Sequence, residues 1–231
     1  MPAVLITGTN RGIGLEFARK YAADGWDVFA TCRNPKAAKE LASLAKSSGG
    51  RLTVLDMDVT HGESVRSAAQ QLGNEAIDVL INNAGISGVS GQNTGHIDYE
   101  NWARVLDVNT MGPLRVIEVF VDHIARSERR LIVTITSGMG SITDNTSGGS
   151  IAYRTSKAAV NMAVRSVAAE LTPRGVTCVV VSPGWVKTRM GGAGAPLSVQ
   201  DSVAAMRRLF DRLRPSDSGK FFSCDGGEHP W

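Results

Sequence analysis

The chain has 231 residues, of which 42% are hydrophobic and 20% are charged, and its formal net charge is +3. This balance excludes a disordered or fibrous chain, and the length favours one large domain, residues 1–231, over two small ones. Basic and acidic residues are interspersed, so no basic stripe indicates a nucleic-acid partner.

Cysteine and histidine spacing gives no metal site. Cys32, Cys178 and Cys224 are widely spaced, and a reducing cytoplasm is the simplest compartment for them. The start, MPAVLITG, enters a strand pattern at once and leaves no room for a signal peptide, and no apolar run has membrane-spanning length. We expect a cytoplasmic protein without a membrane partner. The four histidines have no metal-ligand spacing and are interpreted as surface or capping residues: His61, His96, His123 and His229.

Short β-branched runs alternate with longer helical patterns along the chain. The predicted strands are Ala3–Thr7, Asp27–Cys32, Leu52–Asp56, Val79–Asn82, Leu131–Thr136, Val176–Ser182 and Lys220–Ser223. The predicted helices are Ile13–Ala23, Lys36–Lys46, Gly62–Leu72, Tyr99–Ala125, Ala152–Leu171 and Ser198–Leu213. Strands that are apolar throughout indicate a sheet covered on both faces. We therefore predict an α/β fold of the Rossmann type, a doubly wound parallel sheet of about seven strands with helices on both faces.

Three turn-rich segments follow predicted strands: Gly85–Gly95, Gly138–Ser150 and Gly191–Pro196. They therefore lie at the carboxyl edge of the sheet, where open α/β sheets bind ligands. These segments carry little pattern, so the physiological substrate is not readable from them. We expect residues 185–214 to form a substrate-binding loop and helix within the single domain.

The first strand leads directly into TGTNRGIG, which spans Thr7–Gly14 and opens the first helix. Gly8 permits a tight turn, and Gly12 and Gly14 allow close approach of the backbone. The helix N-terminus then offers free N–H groups and a positive dipole end to a pyrophosphate. An ordinary Gly-rich turn is the alternative, since a glycine motif alone is weak evidence. Its place after the first strand favours a dinucleotide site.

The end of the second strand bears on which dinucleotide is bound. Folds that bind NAD place an Asp or Glu there to hold the ribose 2′-OH. Here the strand ends TCR, and Asp27 lies at its other end. Arg33, together with Arg11 from the glycine loop, can form charge-assisted hydrogen bonds to a 2′-phosphate. We expect NADP(H) rather than NAD(H), with a solvated arginine as the alternative for Arg33.

Two further segments extend this predicted site. Asp58 follows the third strand, where its carboxylate can accept a hydrogen bond from the adenine amino group. The segment INNAG ends the fourth strand, and its Asn side chains can tie neighbouring strands together. Its Ala84 and Gly85 let a nucleoside lie against the backbone. Each segment alone is a plain loop.

Tyr153 and Lys157 lie four residues apart, on one face of a predicted helix that begins at the ligand edge. A half-buried tyrosine beside a snorkelling lysine is the alternative interpretation. An adjacent ammonium would lower the pKa of the phenol from its usual value of about 10. We therefore expect a general acid-base pair in which Lys157 makes Tyr153 usable.

Taken together, TGTNRGIG, NNAG, Ser137, YRTSK and SPGWVKT resemble the short-chain dehydrogenase/reductase family over nearly the whole chain. The segments TCRNP, TSGG and DGGEHPW resemble its C-factor-like carbonyl reductases. This resemblance implies an NADP(H)-dependent oxidoreductase that transfers hydride between the nicotinamide and a small carbonyl or alcohol substrate. It also implies a homodimer or homotetramer that associates through the helices Tyr99–Ala125 and Ala152–Leu171.

The resemblance implies roles for single residues. Tyr153 protonates the carbonyl oxygen, Lys157 also binds the nicotinamide ribose, and Ser137 orients the carbonyl. Ser141 is a rival for that last role, because the Ser137-to-Tyr153 separation is longer than usual in the family. Asn109 is the fourth catalytic candidate. The expected cofactor contacts are Gly8, Asn10, Arg11, Gly12, Ile13, Gly14, Arg33, Asp58, Val59, Asn83, Ala84, Gly85, Tyr153, Lys157, Pro183, Gly184, Val186 and Thr188.

Pro113 follows Asn109 by four residues, and it has no N–H to donate to the Asn109 carbonyl. The helix should kink there and free that carbonyl to hold a water near Lys157. We expect a proton path from solvent through this water and Lys157 to Tyr153. A simple proline kink with a capping Asn is the alternative.

Two other function classes stay open. A sugar-nucleotide isomerase or dehydratase usually carries an added substrate domain, for which the residues after Thr188 leave too little room. A non-catalytic dinucleotide sensor or signalling protein needs only the phosphate-binding end. The presence of Ser137, Tyr153 and Lys157 argues against that class.

Overall fold

Seven parallel strands form a single sheet in the order β3-β2-β1-β4-β5-β6-β7 in the computed structural model, which describes all 231 residues. The strands are β1 Ala3–Thr7, β2 Asp27–Cys32, β3 Leu52–Asp56, β4 Val79–Asn82, β5 Leu131–Ile135, β6 Thr177–Ser182 and β7 Phe221–Ser223. The sheet confirms the predicted fold class. A parallel sheet needs crossover connections, and helices supply them.

Seven α-helices connect the strands and cover both faces of the sheet. They are α1 Gly12–Ala23, α2 Lys39–Ser47, α3 Gly62–Leu72, α4 Tyr99–Leu106, α5 Gly112–Ala125, α6 Ile151–Leu171 and α7 Val199–Arg212. No helix is both long and apolar enough to cross a membrane.

Two hydrophobic clusters fill the space between sheet and helices. One cluster packs α1 and α7 against one face, where the Phe17 and Phe210 rings stack with centroids 5.8 Å apart. The other packs α3, α5 and α6 against the opposite face, with Phe120 fully buried. Successive residues of β1 and β4 belong to the two clusters in turn, because their side chains point to opposite faces of the sheet. These strands are therefore apolar throughout.

The strand order reverses direction between β1 and β4. The chain runs from β1 outward to β3, then crosses back to place β4 on the other side of β1, with Val4 paired to Val79. This is the switch point at which open α/β sheets leave a crevice outside the carboxyl ends of the strands. The loops that follow β1 and β4 therefore lie side by side at this crevice.

The predicted helix Tyr99–Ala125 is divided in the structure. A π-helical turn, Asp107–Met111, separates α4 from α5, and the Gly112 N–H donates to the Asp107 carbonyl. Pro113 cannot continue the ordinary ladder because it has no N–H, and such a wider turn accommodates the break. The predicted helix Lys36–Lys46 also begins later, at Lys39, after a 3-10 turn over Pro35–Ala37. The other boundaries coincide with the predicted ones or differ by one residue.

Candidate active site

The glycine loop after β1 packs too closely for side chains. Gly8 has φ +72°, and a Cβ there would lie 2.9 Å from the Ala84 Cα. A Cβ on Gly14 would lie 2.4 Å from the Gly8 carbonyl oxygen. The loop is therefore pressed against the end of β4, and helix α1 starts directly behind it. Arg11 precedes α1 and gives it no side-chain cap, so the helix N-terminus is open to an anion.

Asn83 fastens the end of β4 to this loop. Its Nδ2 donates to the Thr7 carbonyl at 2.8 Å and to the Gly8 carbonyl at 3.2 Å. The backbone N–H groups of Asn83 and Ala84 both donate to the Thr7 Oγ1 at 2.9 Å. Asn83 thus ties the two strands at the switch point together, as the sequence predicts for INNAG, whereas the buried side chain of Asn82 forms no hydrogen bond.

A cavity of about 720 Å³ opens above these loops. Its wall contains all the predicted cofactor contacts except Gly184 and Val186, which line the adjoining cavity. Gly12 and Thr188 are neighbours in this wall, because a Cβ on Gly12 would lie 3.7 Å from the Thr188 Cγ2. The glycine loop, the end of β4 and the segment after β6 thus surround one space, which we call the phosphate-side cavity.

Arg11, Arg33 and Arg189 all line this cavity, and the charges of Arg33 and Arg189 act on Arg11. Partial burial lowers the pKa of Arg11, and the charges of Arg189 and Arg33 lower it further. Partial burial would raise the pKa of Asp58, but hydrogen bonds from Thr60 and the charges of Arg33 and His61 hold it below its usual value. A cluster of like charges that act on each other, beside an open helix N-terminus, fits a ligand with several phosphate groups.

A second cavity, of about 800 Å³, adjoins the first. Tyr153 lines both cavities, and Ser137 lines the second. Trp185 and Met190 form part of the outer wall, and the Trp185 Nε1 donates to the Gly191 carbonyl at 2.8 Å. The Tyr153 phenol therefore stands where the phosphate-side cavity meets a largely apolar one.

Lys157 does not lower the pKa of Tyr153 in the structure, which corrects the expectation from the sequence. Burial raises the pKa of Tyr153, and the Ser137 hydroxyl acts in the opposite direction. The Lys157 Nζ lies 5.8 Å from the Tyr153 ring centroid and donates to the Ile135 carbonyl at 2.9 Å. Burial lowers the pKa of Lys157 itself to about 8. Burial therefore sets the direction of both pKa shifts.

The two serine candidates lie in different surroundings. The Ser137 Oγ accepts from the Met139 N–H at 3.1 Å and lines the same cavity as Tyr153. Ser141 is buried, and its Oγ donates to the Trp231 carbonyl at 3.2 Å. Ser141 does not line either cavity. The structure brings Ser137 and Tyr153 together and leaves Ser141 in a structural contact.

The Asn109 side chain is fully engaged with the loop after β4. Its Oδ1 accepts from the Ile86 N–H at 2.9 Å, and its Nδ2 donates to the Ile86 carbonyl at 2.8 Å and to the Ser156 Oγ at 3.0 Å. A Cβ on Gly85 would lie 3.3 Å from the Asn109 Oδ1 and 3.7 Å from the Lys157 Nζ. Asn109 therefore sits beside Lys157 but lines neither cavity with its side chain.

Several polar groups in these walls are absent from the sequence prediction, among them Arg189 and His229. Arg189 lines the phosphate-side cavity, and a basic residue directly after SPGWVKT was an available signal. His229 lines the second cavity instead of lying on the surface. His123 is also buried, with its Nδ1 2.9 Å from the Glu75 carbonyl, so two of the four histidines contradict the surface or capping interpretation.

The chain belongs to the short-chain dehydrogenase/reductase family, since the family model described as short chain dehydrogenase matches residues 2–195. It is 46% identical to the C-signal of Myxococcus xanthus over 167 residues, which are 72% of this chain and 100% of that protein. The carbonyl reductase Sniffer of D. melanogaster superposes with a TM-score of 0.93 at 34% identity, over 100% of both chains. The NADPH-bound carbonyl reductase from chicken fatty liver gives 0.93 and 34%, over 100% of this chain and 99% of that one.

Proposed function

We propose that this protein is an NADP(H)-dependent carbonyl reductase. The observation that carries the proposal is the position of Tyr153, which lines both the phosphate-side cavity and the apolar cavity beside Ser137. A cofactor in the first cavity and a carbonyl compound in the second would both reach its phenol. The solved carbonyl reductases with the same fold support this assignment.

The proposed chemistry is a two-electron reduction of a carbonyl to an alcohol. NADPH held in the phosphate-side cavity would supply the hydride that the carbonyl carbon receives, and the Tyr153 phenol donates the proton to the carbonyl oxygen. Ser137 donates a hydrogen bond to that oxygen and fixes its direction. Burial keeps the phenol protonated at neutral pH, as a general acid must be before it reacts.

Lys157 has the role of replacing the proton that Tyr153 loses. With its pKa near 8, most Lys157 side chains are cationic at pH 7 and stabilise a phenolate as it forms. The path from solvent past the Asn109 carbonyl to Lys157 stays a prediction. Within residues 185–214, Trp185, Val186, Thr188, Met190 and Gly191 line the second cavity, and no residue of α7 lines it.

The reductase assignment is tested by NADPH consumption with a panel of aldehydes, ketones and quinones. We expect wild-type turnover of several compounds and a loss of at least about 10²-fold in Tyr153→Phe, which removes the proton donor and keeps the ring. Both proteins should bind NADPH equally, as measured by fluorescence titration. Equal turnover by wild type and Tyr153→Phe would rule out the assigned proton donor.

The preference for NADPH rests on the arginine cluster. Arg33→Asp should weaken NADPH binding by about 10²-fold and leave NADH binding within about threefold, because a carboxylate repels a 2′-phosphate and can bind a 2′-OH. Lys46→Asp makes the same charge change outside both cavities, on the exposed end of α2, and serves as the control. Equal effects of Arg33→Asp on the two cofactors would contradict the assignment.

A second candidate function is that of a signalling protein which binds a dinucleotide without catalysis. The similarity to a protein named C-signal favours considering it. The same panel separates the two functions. A wild type that binds NADPH but is as inert as Tyr153→Phe toward every carbonyl compound would support the signalling function.

A further inference from the structure

His229 forms part of the wall of the second cavity, which is proposed above to hold the carbonyl compound, although His229 lies in the tail after β7. Its ring stacks on Phe221 with centroids 4.5 Å apart and an interplanar angle of 13°. The His229 N–H donates to the Phe221 carbonyl at 2.7 Å. Ring and backbone are thus both fixed, and the side chain is only 18% exposed.

The rest of the tail is held against the loop after β5 and against α6. The Trp231 carbonyl accepts from the Thr143 N–H at 2.9 Å and from the Ser141 Oγ at 3.2 Å. The Arg165 guanidinium lies 5.0 Å from the centroid of the Trp231 ring. The imidazole of His229 is therefore a rigid feature of the cavity and not the end of a loose segment.

The surroundings of its two nitrogens determine which one carries the proton. Nδ1 lies 3.3 Å from the Pro230 carbonyl and 3.6 Å from the Asp144 carboxylate, and both are acceptors only. Nδ1 is therefore assigned as the donor of the neutral ring. Nε2 then carries a lone pair, and no group of the protein hydrogen-bonds to it.

Nε2 lies against Gly138, the residue that follows Ser137. A Cβ on Gly138 would lie 3.1 Å from it, so the imidazole approaches as closely as a glycine allows. The Gly138 N–H already donates to the Ser182 Oγ at 3.0 Å and is not available to Nε2. The unused acceptor thus lies beside the residue assigned to orient the substrate carbonyl.

No other side chain in this cavity offers an aromatic nitrogen acceptor, although Ser, Thr and Gln side chains also line it. The titratable residues in its wall are Tyr153, Cys224 and His229, and no Asp, Glu, Lys or Arg lines it. The Cys224 thiol is a poor acceptor, and burial raises its pKa. An otherwise largely apolar wall therefore presents one fixed nitrogen acceptor close to the reacting end.

We propose that His229 is a substrate-positioning residue that selects carbonyl compounds bearing a hydroxyl or N–H group next to the reacting carbonyl. This inference rests on the reductase function proposed above. The donor of such a substrate binds Nε2 while its carbonyl binds Ser137 and Tyr153. A substrate that lacks the donor leaves the Nε2 lone pair desolvated and unpaired, and is bound less well.

The test compares two ketones of nearly the same shape, α-hydroxyacetophenone and propiophenone, at pH 7.5 with saturating NADPH. The measured quantity is the ratio of their kcat/KM values in each variant, because the hydroxyl also changes the intrinsic reactivity of the carbonyl. His229→Phe keeps a ring on Phe221 but has no acceptor, and the ratio should fall about tenfold from wild type. His229→Gln places an amide oxygen near the position of Nε2 and should restore most of the ratio.

Thermal unfolding of each variant shows that the proteins compared are folded, and His229→Leu replaces His229→Phe if the latter is unstable. A ratio that is the same in wild type, His229→Phe and His229→Gln overturns the role of His229 and leaves the reductase function intact. Failure of wild type to reduce either ketone or any compound of the larger panel overturns both.

Discussion

Lys157 places a positive charge inside the protein with a single hydrogen-bond acceptor, the Ile135 carbonyl. Its pKa falls from 10.5 to about 8, which corresponds to a penalty of roughly 3 kcal/mol for the charged form in the folded state. Well below pH 8 the penalty is present in full, because Lys157 is charged in both the folded and the unfolded protein. It decreases as pH rises from 8 toward 10.5, where the folded protein has lost the proton and the unfolded chain still holds it.

Lys157→Met should therefore raise the free energy of unfolding by about 1–2 kcal/mol at pH 7, after the lost hydrogen bond is subtracted, while it removes turnover. The gain over wild type should shrink at pH 9.5. Urea unfolding of the cofactor-free proteins at the two pH values measures both effects. Lys46→Met, at an exposed lysine, should change stability by less than about 0.5 kcal/mol. A destabilised Lys157→Met would show that the charge is solvated by groups not identified above.

Residue-level predictions from the sequence succeed where a motif fixes the geometry. Asn83 binds the Thr7 and Gly8 carbonyls because INNAG and the glycine loop end neighbouring strands. The pKa of Tyr153 was not readable in the same way, because it depends on how deeply the ring is buried. His229 was missed for a related reason, since no local pattern tells where a tail after the last strand returns.

Helix α6 carries Tyr153 and Lys157, and a short 3-10 turn, Gly138–Gly140, packs directly on it. A Cβ on Gly140 would lie 2.8 Å from the Lys157 Cβ and 2.9 Å from its carbonyl carbon. Gly140→Ala should therefore push the turn away from α6 and destabilise the fold by about 2 kcal/mol, with a lower kcat because Ser137 moves with the turn.

Gly194→Ala is the matched control, because nothing lies within 4 Å of the added Cβ and its φ is not in the left-handed region. It should change the free energy of unfolding by less than about 0.5 kcal/mol. Equal stability of the two variants in urea unfolding would mean that the turn and α6 separate without penalty.

At the level of elements, the alternation of β-branched and helical runs was enough to predict all seven strands in nearly their observed positions. The continuous apolar pattern of Tyr99–Ala125 did not reveal the π-helical turn over Asp107–Met111, although Pro113 marked the place of the break. Whether a proline yields a kink, a wider turn or a helix end depends on what packs around it. Here Asn109, inside that turn, is tied to Ile86 and Ser156.

For the whole molecule, the helices predicted to mediate association do expose apolar side chains. Met162 on α6 is 64% exposed, and Tyr99 at the start of α4 is 70% exposed. If these helices form the dimer contact, Met162→Glu should weaken association by at least about tenfold, because it would bury an unpaired charge. Light scattering after size exclusion at several concentrations measures the mass.

Ile142→Glu makes a similar change at a side chain that is 77% exposed and lies outside those helices. It should leave the mass distribution as in wild type. A Met162→Glu protein with the wild-type mass at every concentration would place the interface elsewhere.

The central position of β1 has a consequence for synthesis of the protein. The Ala3 N–H donates a hydrogen bond to the Asp78 carboxylate, 75 residues further along the chain. The next strand, β4, then pairs with the edge of β1 that β2 does not cover. At about 5–20 residues per second, the ribosome needs roughly 4–15 s to add that length. During this time the nascent chain exposes an apolar strand whose β4 partner has not been made. We expect chaperones to bind residues 1–80 at that stage, and sequencing of the ribosomes that carry chaperone-bound chains measures this.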